Sequence, residues 1–205
     1  MTSKDTLRQQ FDAYRRALSP TDHNARSRLV CKRAQAHDAV QHAKVVHAYW
    51  PALDRGELDT RPLIGWCAAA GKTVVLPVVT SFDPASPAME ARTFTDADAL
   101  ERNRWGLLEP VTGTPVPNDA IDLVIVPAFG ADRRGHRIGH GAGFYDRFLP
   151  TLSATSMVLT FDACLVDGLP TASHDVPADY VISETERVGP LATTAPQNNS
   201  CCTTS

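Results

Sequence analysis

The stretch VIVPAFGADRRGHRIGHGAGFYDRFL, residues 124–149, passes from an apolar run into a glycine-rich loop and leaves it through FYDRFL. Its start completes the run Ile121-Asp-Leu-Val-Ile-Val126, which reads as a buried strand. Five glycines follow (Gly130, Gly135, Gly139, Gly141 and Gly143), and the segment from Phe144 can start a helix. Strand, glycine-rich loop and helix start together point backbone N–H groups at a phosphate. Arg133, Arg134, Arg137 and His140 make the loop cationic. Glycine at every second position from Gly139 to Gly143 lets the backbone take positive φ and approach a ligand without Cβ clashes. The pattern is neither GxxxxGK[ST] nor GxGxxG set directly between strand and helix. Arg137 carries a planar, permanently charged fork suited to phosphate oxygens. Asp146 falls in the first helical turn, where it either complements the helix dipole or, beside bound phosphates, holds Mg²⁺.

Outward from this stretch, helices alternate with short apolar strands. Ser3 is placed to cap a helix over 4–18, with Leu7, Phe11, Tyr14 and Leu18 on one apolar stripe. Lys4 and Arg8 lie i, i+4 near its start, within joint reach of one anion, whereas Arg15 and Arg16 read as a solvated face. Pro20 ends this helix, and Thr21 or Asp22 caps a second one running to about residue 43. His23, His37, His42 and His47 form no metal-binding pair and read as surface residues. Residues 44–50 and 73–79 read as strands, joined by a helix with Asp59 or Thr60 as cap and Pro62 in its first turn. A short edge strand is expected over 91–95, a short helix over 95–100 and an irregular segment over 104–110. Further strands are expected over 121–126, 156–161 and 179–183.

This alternation predicts an α/β fold, a single-domain, mostly parallel twisted sheet with helices on both faces in a Rossmann-like three-layer arrangement. The domain is expected over 1–188, and 189–205, rich in Pro, Thr, Ala, Asn and Ser, reads as a disordered polar tail. Ligands of such sheets sit beyond the carboxyl ends of the strands. Residues 50–57, the segment from Pro77 and the loop after Val126 all fall there, so one site is expected rather than three.

The net charge of −3 over 205 residues argues against a dedicated nucleic-acid binder. No apolar run approaches the ~20 residues of a membrane span, and the opening residues lack the apolar core of a secretory signal. Five cysteines (Cys31, Cys67, Cys164, Cys201 and Cys202) show no metal-ligand spacing, which suits a reduced, cytoplasmic setting. A monomer is expected.

The run Pro127-Ala-Phe-Gly-Ala-Asp132-Arg-Arg-Gly135-His-Arg137-Ile-Gly139-His-Gly141-Ala-Gly143-Phe-Tyr145-Asp146 resembles the signature of the 5-formyltetrahydrofolate cyclo-ligase family, approximately P-G-x-x-F-D-x-x-G-x-R-L-G-x-G-x-G-Y-Y-D. Lys4 and Arg8, Tyr49-Trp50-Pro51 with Gly56-Glu57-Leu-Asp59, Leu76-Pro77, Trp105-Gly-Leu-Leu-Glu109-Pro110 and His174-Asp175-Val-Pro-Ala-Asp179 resemble further family elements in the same order. The resemblance implies ATP-dependent cyclisation of 5-formyltetrahydrofolate to 5,10-methenyltetrahydrofolate, through phosphorylation of the formyl oxygen and attack by N10. It implies ATP contacts from Lys4, Arg8, Arg137 and the loop Gly139, His140, Gly141, Ala142, Gly143, Phe144 and Tyr145. His140 to Phe144 would also face the folate, with Trp50 as an apolar wall and Glu57 accepting N–H groups of the pterin. Arg137, Tyr145 and Asp146 would be catalytic, and Asp146 and Asp179 would hold Mg²⁺. Without the resemblance, Glu57 reads as a solvated loop acid. Ala128, Ala131 and Phe144 depart from the signature, and Ala142 stands where some members carry lysine. Two other readings remain, a different small ATP-dependent ligase or kinase on this scaffold and a non-catalytic folate- or nucleotide-binding protein.

Overall fold

The computed structural model describes residues 2–83 and 85–191. In chain order the elements are α1 (Lys4–Ala17), α2 (Pro20–Gln35), α3 (Asp38–His42), β1 (Val45–His47), α4 (Arg61–Ala69), β2 (Thr73–Ser81), β3 (Ala88–Thr93), β4 (Leu100–Arg102), β5 (Leu108–Pro110), β6 (Pro115–Val116), β7 (Leu123–Val126), β8 (Gly130–Asp132), β9 (Arg137–Ile138), α5 (Phe144–Phe148), β10 (Thr155–Leu159), β11 (Leu165–Val166), β12 (Tyr180–Ile182) and β13 (Arg187–Val188). The main sheet has the order β13-β12-β10-β7-β1-β2-β3-β6. Its five inner strands from β12 to β2 run parallel, and β13, β3 and β6 pair antiparallel at the edges. Asp122 fixes the register at the centre, where one carboxylate oxygen accepts from Lys44 N at 2.7 Å and Val45 N at 2.8 Å.

Alternation along β7 sends Leu123 and Ile125 to one face and Val124 and Val126 to the other. The first face is covered by α1 to α4 through Phe11, Val30, Val40 and Leu63. On the opposite face lies α5 with the turn after it, through Phe148 and Leu149, together with Leu165 and Ala178. The three-layer expectation therefore holds, with unequal helical layers.

Several local expectations change. Ser3 caps α1, accepting from Thr6 N at 3.1 Å. Pro20 begins α2 rather than ending α1, and Ser19 is the cap, accepting from Asp22 N at 3.1 Å. The second helix ends at Gln35 because the His37 side chain accepts from Ala39 N and starts α3. The segment over 95–100 forms only a 3-10 turn, and 104–110 belongs to the β4–β5 hairpin. That hairpin is fixed by Asn103, whose Oδ1 accepts from Trp105 N and Leu107 N. His37 and His47 are buried, not surface residues. The glycine-rich stretch is not one loop, because β8 and β9 form a hairpin inside it. Asp132, fully buried at its turn, accepts from Arg134 N, His136 N and Leu169 N. Near the end of the described chain, Leu191 N donates to Asp179 O at 2.9 Å. The rest of the expected tail, with Cys201 and Cys202, lies outside the described residues. Among the described residues no helix is long and apolar enough to cross a membrane.

Gly130 lies tightly against α1 and the turn after β10: an added Cβ would lie 2.5 Å from Cys164 O and from the Phe11 ring. Gly130→Ala is expected to lower stability by about 1–3 kcal/mol through overpacking. The measurement is the shift of the urea unfolding midpoint at unchanged slope.

Candidate active site

Beyond the carboxyl ends of β1, β2 and β7 lies an open cleft of about 590 Å³, a volume suited to small organic ligands. One wall is built by the start of α1 and residues 137–146, and the other by Tyr49, Trp50, Glu57, Pro77, Trp105 and Glu109.

The first wall is cationic. Lys4 Nζ forms an ion pair with Asp175, which lies 171 positions along the chain. Arg8 Nε donates to Gly139 O at 2.9 Å, so α1 holds the glycine loop directly. Gly141 (φ +90°) and Gly143 (φ +72°) take the left-handed backbone that β-carbons disfavour, whereas Gly139 does not. Arg137, 6% exposed, donates to Val176 O at 2.6 Å and to Asp146 Oδ1 at 2.9 Å. Burial lowers its pKa, and the Asp146 charge opposes that shift. Tyr145 Oη is buried without a protein partner, and burial pushes its pKa up. His140 lies against the Phe129 ring, with centroids 4.7 Å apart. Desolvation in the cleft, then Arg15, Arg55 and Arg8, pushes its pKa down to about 4, although the residue keeps an exposed face. It is neutral at physiological pH.

The second wall carries a buried carboxylate. Glu57 is 7% exposed, and its Oε2 accepts from Ala52 N at 2.9 Å. Desolvation raises its pKa, while the Ala52 N–H and then Arg15 and Arg55 oppose the shift. It is not the solvated loop acid that the bare sequence suggests. Trp50 packs on Phe94, and Trp105 packs edge-on against Phe144 at 5.5 Å, bringing the two walls together. Glu109 Oε1 accepts from Val79 N at 3.1 Å and Asn103 Nδ2 at 2.7 Å.

Behind the cleft sits Arg15, which the sequence suggests is solvated and which is 3% exposed. Its guanidinium donates to Ala128 O at 3.1 Å and Arg55 O at 3.3 Å and lies 4.2 Å from the Phe129 ring centroid. The signal was present, since Arg15 stands four residues after Phe11 on the apolar stripe. Trp105, Glu109 and Asp175 also line the cleft, although their motifs carried no assigned role.

Lys4, Arg8, Trp50, Glu57, Arg137, the 139–145 loop and Asp146 all line this cleft. Asp179 does not. It stands just before β12, at the amino end of the parallel sheet, and its Oδ2 accepts from Ser156 N and Ser156 Oγ, both at 2.8 Å. That placement sets it apart from Asp146 and the cleft. Among the described residues no group of three or more His, Cys, Asp or Glu side chains is arranged to hold a metal ion. The chain instead offers Asp146, whose protein partners both bond Oδ1. One carboxylate beside phosphate oxygens and water fits Mg²⁺, which usually keeps several waters.

Arg15→Ala leaves the Ala128 and Arg55 carbonyls without their donor and is expected to cost about 1–3 kcal/mol. Thermal or urea unfolding against the parent protein measures the loss.

Residues 1–184 match the profile described as the 5-formyltetrahydrofolate cyclo-ligase family. The 5-formyltetrahydrofolate cyclo-ligase of Escherichia coli strain K12 is 32% identical over 174 residues, 82% of this chain and 93% of that protein. The Mus musculus protein of the same name is 25% identical over 196 residues, covering 89% of this chain and 94% of that protein. The NMR structure of Aquifex aeolicus 5,10-methenyltetrahydrofolate synthetase shares the fold at a TM-score of 0.79 and 24% identity, covering 98% of this chain and 99% of that one. The extent of the profile match, together with the identity and coverage of the bacterial relative, establishes that this chain belongs to the 5-formyltetrahydrofolate cyclo-ligase family.

Proposed function

We propose that this chain closes the ring of 5-formyltetrahydrofolate to 5,10-methenyltetrahydrofolate, coupled to conversion of ATP to ADP and phosphate. The observation that carries the reading is a single cleft with Lys4, Arg8 and the glycine loop on one side and Glu57 among aromatic side chains on the other. A cationic wall suits a triphosphate, and a buried carboxylate in an apolar wall suits a ring bearing N–H donors. Family membership supports the same substrates.

ATP supplies the phosphoryl group that makes the formyl oxygen a good leaving group, so that N10 can close the ring on the activated carbon. Lys4, Arg8 and residues 139–145 hold the phosphates, with backbone N–H groups and two side-chain cations balancing their charge. Arg137 keeps the Asp146 carboxylate aimed at the cleft through its 2.9 Å bond. Asp146 would hold Mg²⁺ through the oxygen that its protein partners leave open. Glu57 accepts two N–H groups from the 2-amino-4-oxo ring and so orients the formyl group toward the phosphates. Trp50 and Phe144 wall off water beside the reacting centre. Tyr145 Oη, buried without a protein acceptor, is available to donate to substrate oxygen. The enzyme is read as a cytoplasmic monomer. Three buried free thiols (Cys31, Cys67 and Cys164) suit a reducing compartment.

Purified protein given Mg-ATP and 5-formyltetrahydrofolate is expected to form the methenyl product, followed by its absorbance. Asp146→Ala should stay folded and lose at least about 100-fold in Mg²⁺-dependent turnover. Unchanged activity in that variant would remove Asp146 from the mechanism. Glu57→Gln should raise the folate KM about 10–100-fold, the worth of hydrogen bonds to a charged group, with the ATP KM unaltered. Because the Glu57 pKa is raised, the parent protein's folate KM should climb as pH falls through that elevated pKa, above the usual glutamate range. Glu57→Gln should flatten this rise, and a rise persisting in the variant would assign it to another group.

A further inference from the structure

The tip of the β4–β5 hairpin, residues 103–107, overhangs the cleft through Trp105 and Leu107. It is a built turn rather than a loose one. Asn103 N donates to Leu107 O and Gly106 N to Asn103 O, both at 2.8 Å, while the Asn103 side chain bonds Trp105 N, Leu107 N and Glu109. Arg55 and Arg102 bring their guanidinium groups onto this turn, and Arg104 reaches from it toward Phe82. Arg55 donates to Trp105 O, Arg102 to Gly106 O at 2.6 Å and Arg104 to Phe82 O at 3.3 Å. A Cβ on Gly106 would lie 3.5 Å from an Arg55 Nη and 3.9 Å from an Arg102 Nη, so both groups flank the same glycine. Arg104 stacks over Phe82 at 4.0 Å from its ring centroid, and Phe82 packs edge-on against Trp105.

Among the described residues, no carboxylate lies within ion-pair distance of any of the three. The acids adjacent in sequence, Asp54 and Glu101, are exposed and make no ion pair with them. Most other arginines among the described residues meet an aspartate or glutamate, as Arg61 meets Asp59 and Arg133 meets Glu186. Glu57 offsets part of the Arg55 charge from inside the cleft, but none of the three forms an ion pair, and an anionic ligand relieves the repulsion that remains among them. Each fork spends one N–H on a carbonyl and keeps others for such a ligand. The rim stands on the aromatic, folate side of the cleft, and the charge that a folate carries away from its ring is the carboxylates of its glutamyl tail.

We propose that Arg55, Arg102 and Arg104 form a carboxylate-binding rim that takes the glutamyl tail of the reduced folate, an inference that rests on the folate reading above. The rim acts on substrates by tail length, since each γ-linked glutamate adds a carboxylate for it to meet.

The test compares 5-formyltetrahydrofolate, its γ-linked triglutamate and the tail-less 5-formyltetrahydropteroate in steady-state kinetics. The double variant Arg102→Ala/Arg104→Ala is expected to raise the KM of the triglutamate about fivefold or more, from the loss of charge-assisted contacts. The monoglutamate should rise less, the pteroate and ATP not at all, and the triglutamate effect should shrink as salt is added. Arg102→Lys/Arg104→Lys should recover most of the loss. An equal rise with the pteroate, a rise confined to ATP, or no change with the triglutamate overturns the rim. If the parent protein does not turn over 5-formyltetrahydrofolate, the proposed function fails separately. Titration calorimetry then decides the rim alone: weaker triglutamate binding in the variant supports it, and equal binding overturns it.

Discussion

Arg15 carries a permanent positive charge into the protein behind the cleft, where water cannot hydrate it. Burying such a group costs several kcal/mol unless acceptors replace the lost water. Its hydrogen-bond acceptors are backbone carbonyls of Ala128 and Arg55, on two loops far apart in sequence, Asp12 lies 3.6 Å away as a counter-charge, and the Phe129 ring covers one face. The requirement to satisfy one guanidinium thus draws three segments together: α1, the loop after β1 and the loop after β7. Gly56 shows how close the approach is, since its missing side chain would sit 3.3 Å from the Arg15 backbone. The same charge opposes the burial-driven rise in the Glu57 pKa, as the Glu57 charge opposes the fall at Arg15. A structural group therefore opposes protonation of the buried cleft carboxylate.

The two walls of the cleft have different physical characters because different constraints shape them. On the glycine-loop side, backbone and charge dominate: glycines at positive φ, Arg8 bonded to Gly139, and Arg137 holding Asp146. The Glu57 side is governed by burial, with Glu57 enclosed in the wall and two separate ring pairs, Trp50 on Phe94 and Trp105 on Phe144, beside it. Trp105 and Phe144 touch where the walls meet, so the departure of Phe144 from the family tyrosine keeps the ring packing and removes only a hydroxyl.

What the sequence made legible follows the range of the forces involved. The apolar run 121–126 has no stable alternative to a buried strand, and the parallel sheet follows from several such runs between helices. The glycine and arginine pattern of 137–143 marks a ligand loop because its chemistry is local. Features decided by distant partners were hidden. Arg15 looks like any basic residue on a helix until carbonyls from residues 55 and 128 meet it. The β4–β5 hairpin depends on the Asn103 side chain, which propensity does not weigh. Asp175 and Asp179 are four residues apart and alike in composition, yet the start of β12 turns one toward Ser156 while the other meets Lys4. His37 ends one helix and starts another with a ring nitrogen, where a continuous helix was the simpler expectation.

The pairing of Lys4 with Asp175 has a consequence for biosynthesis. A ribosome releases α1 first, and the partner that fixes its first turn emerges 171 residues later. The central strand β1 likewise waits for β7 before it is enclosed on both sides. The nascent N-terminal helix therefore has neither its ionic anchor nor its loop partners while most of the chain is still being made. The cleft is completed late and all at once, so a stalled or truncated translation product carries the α1 part of the cationic wall without the loop that faces it.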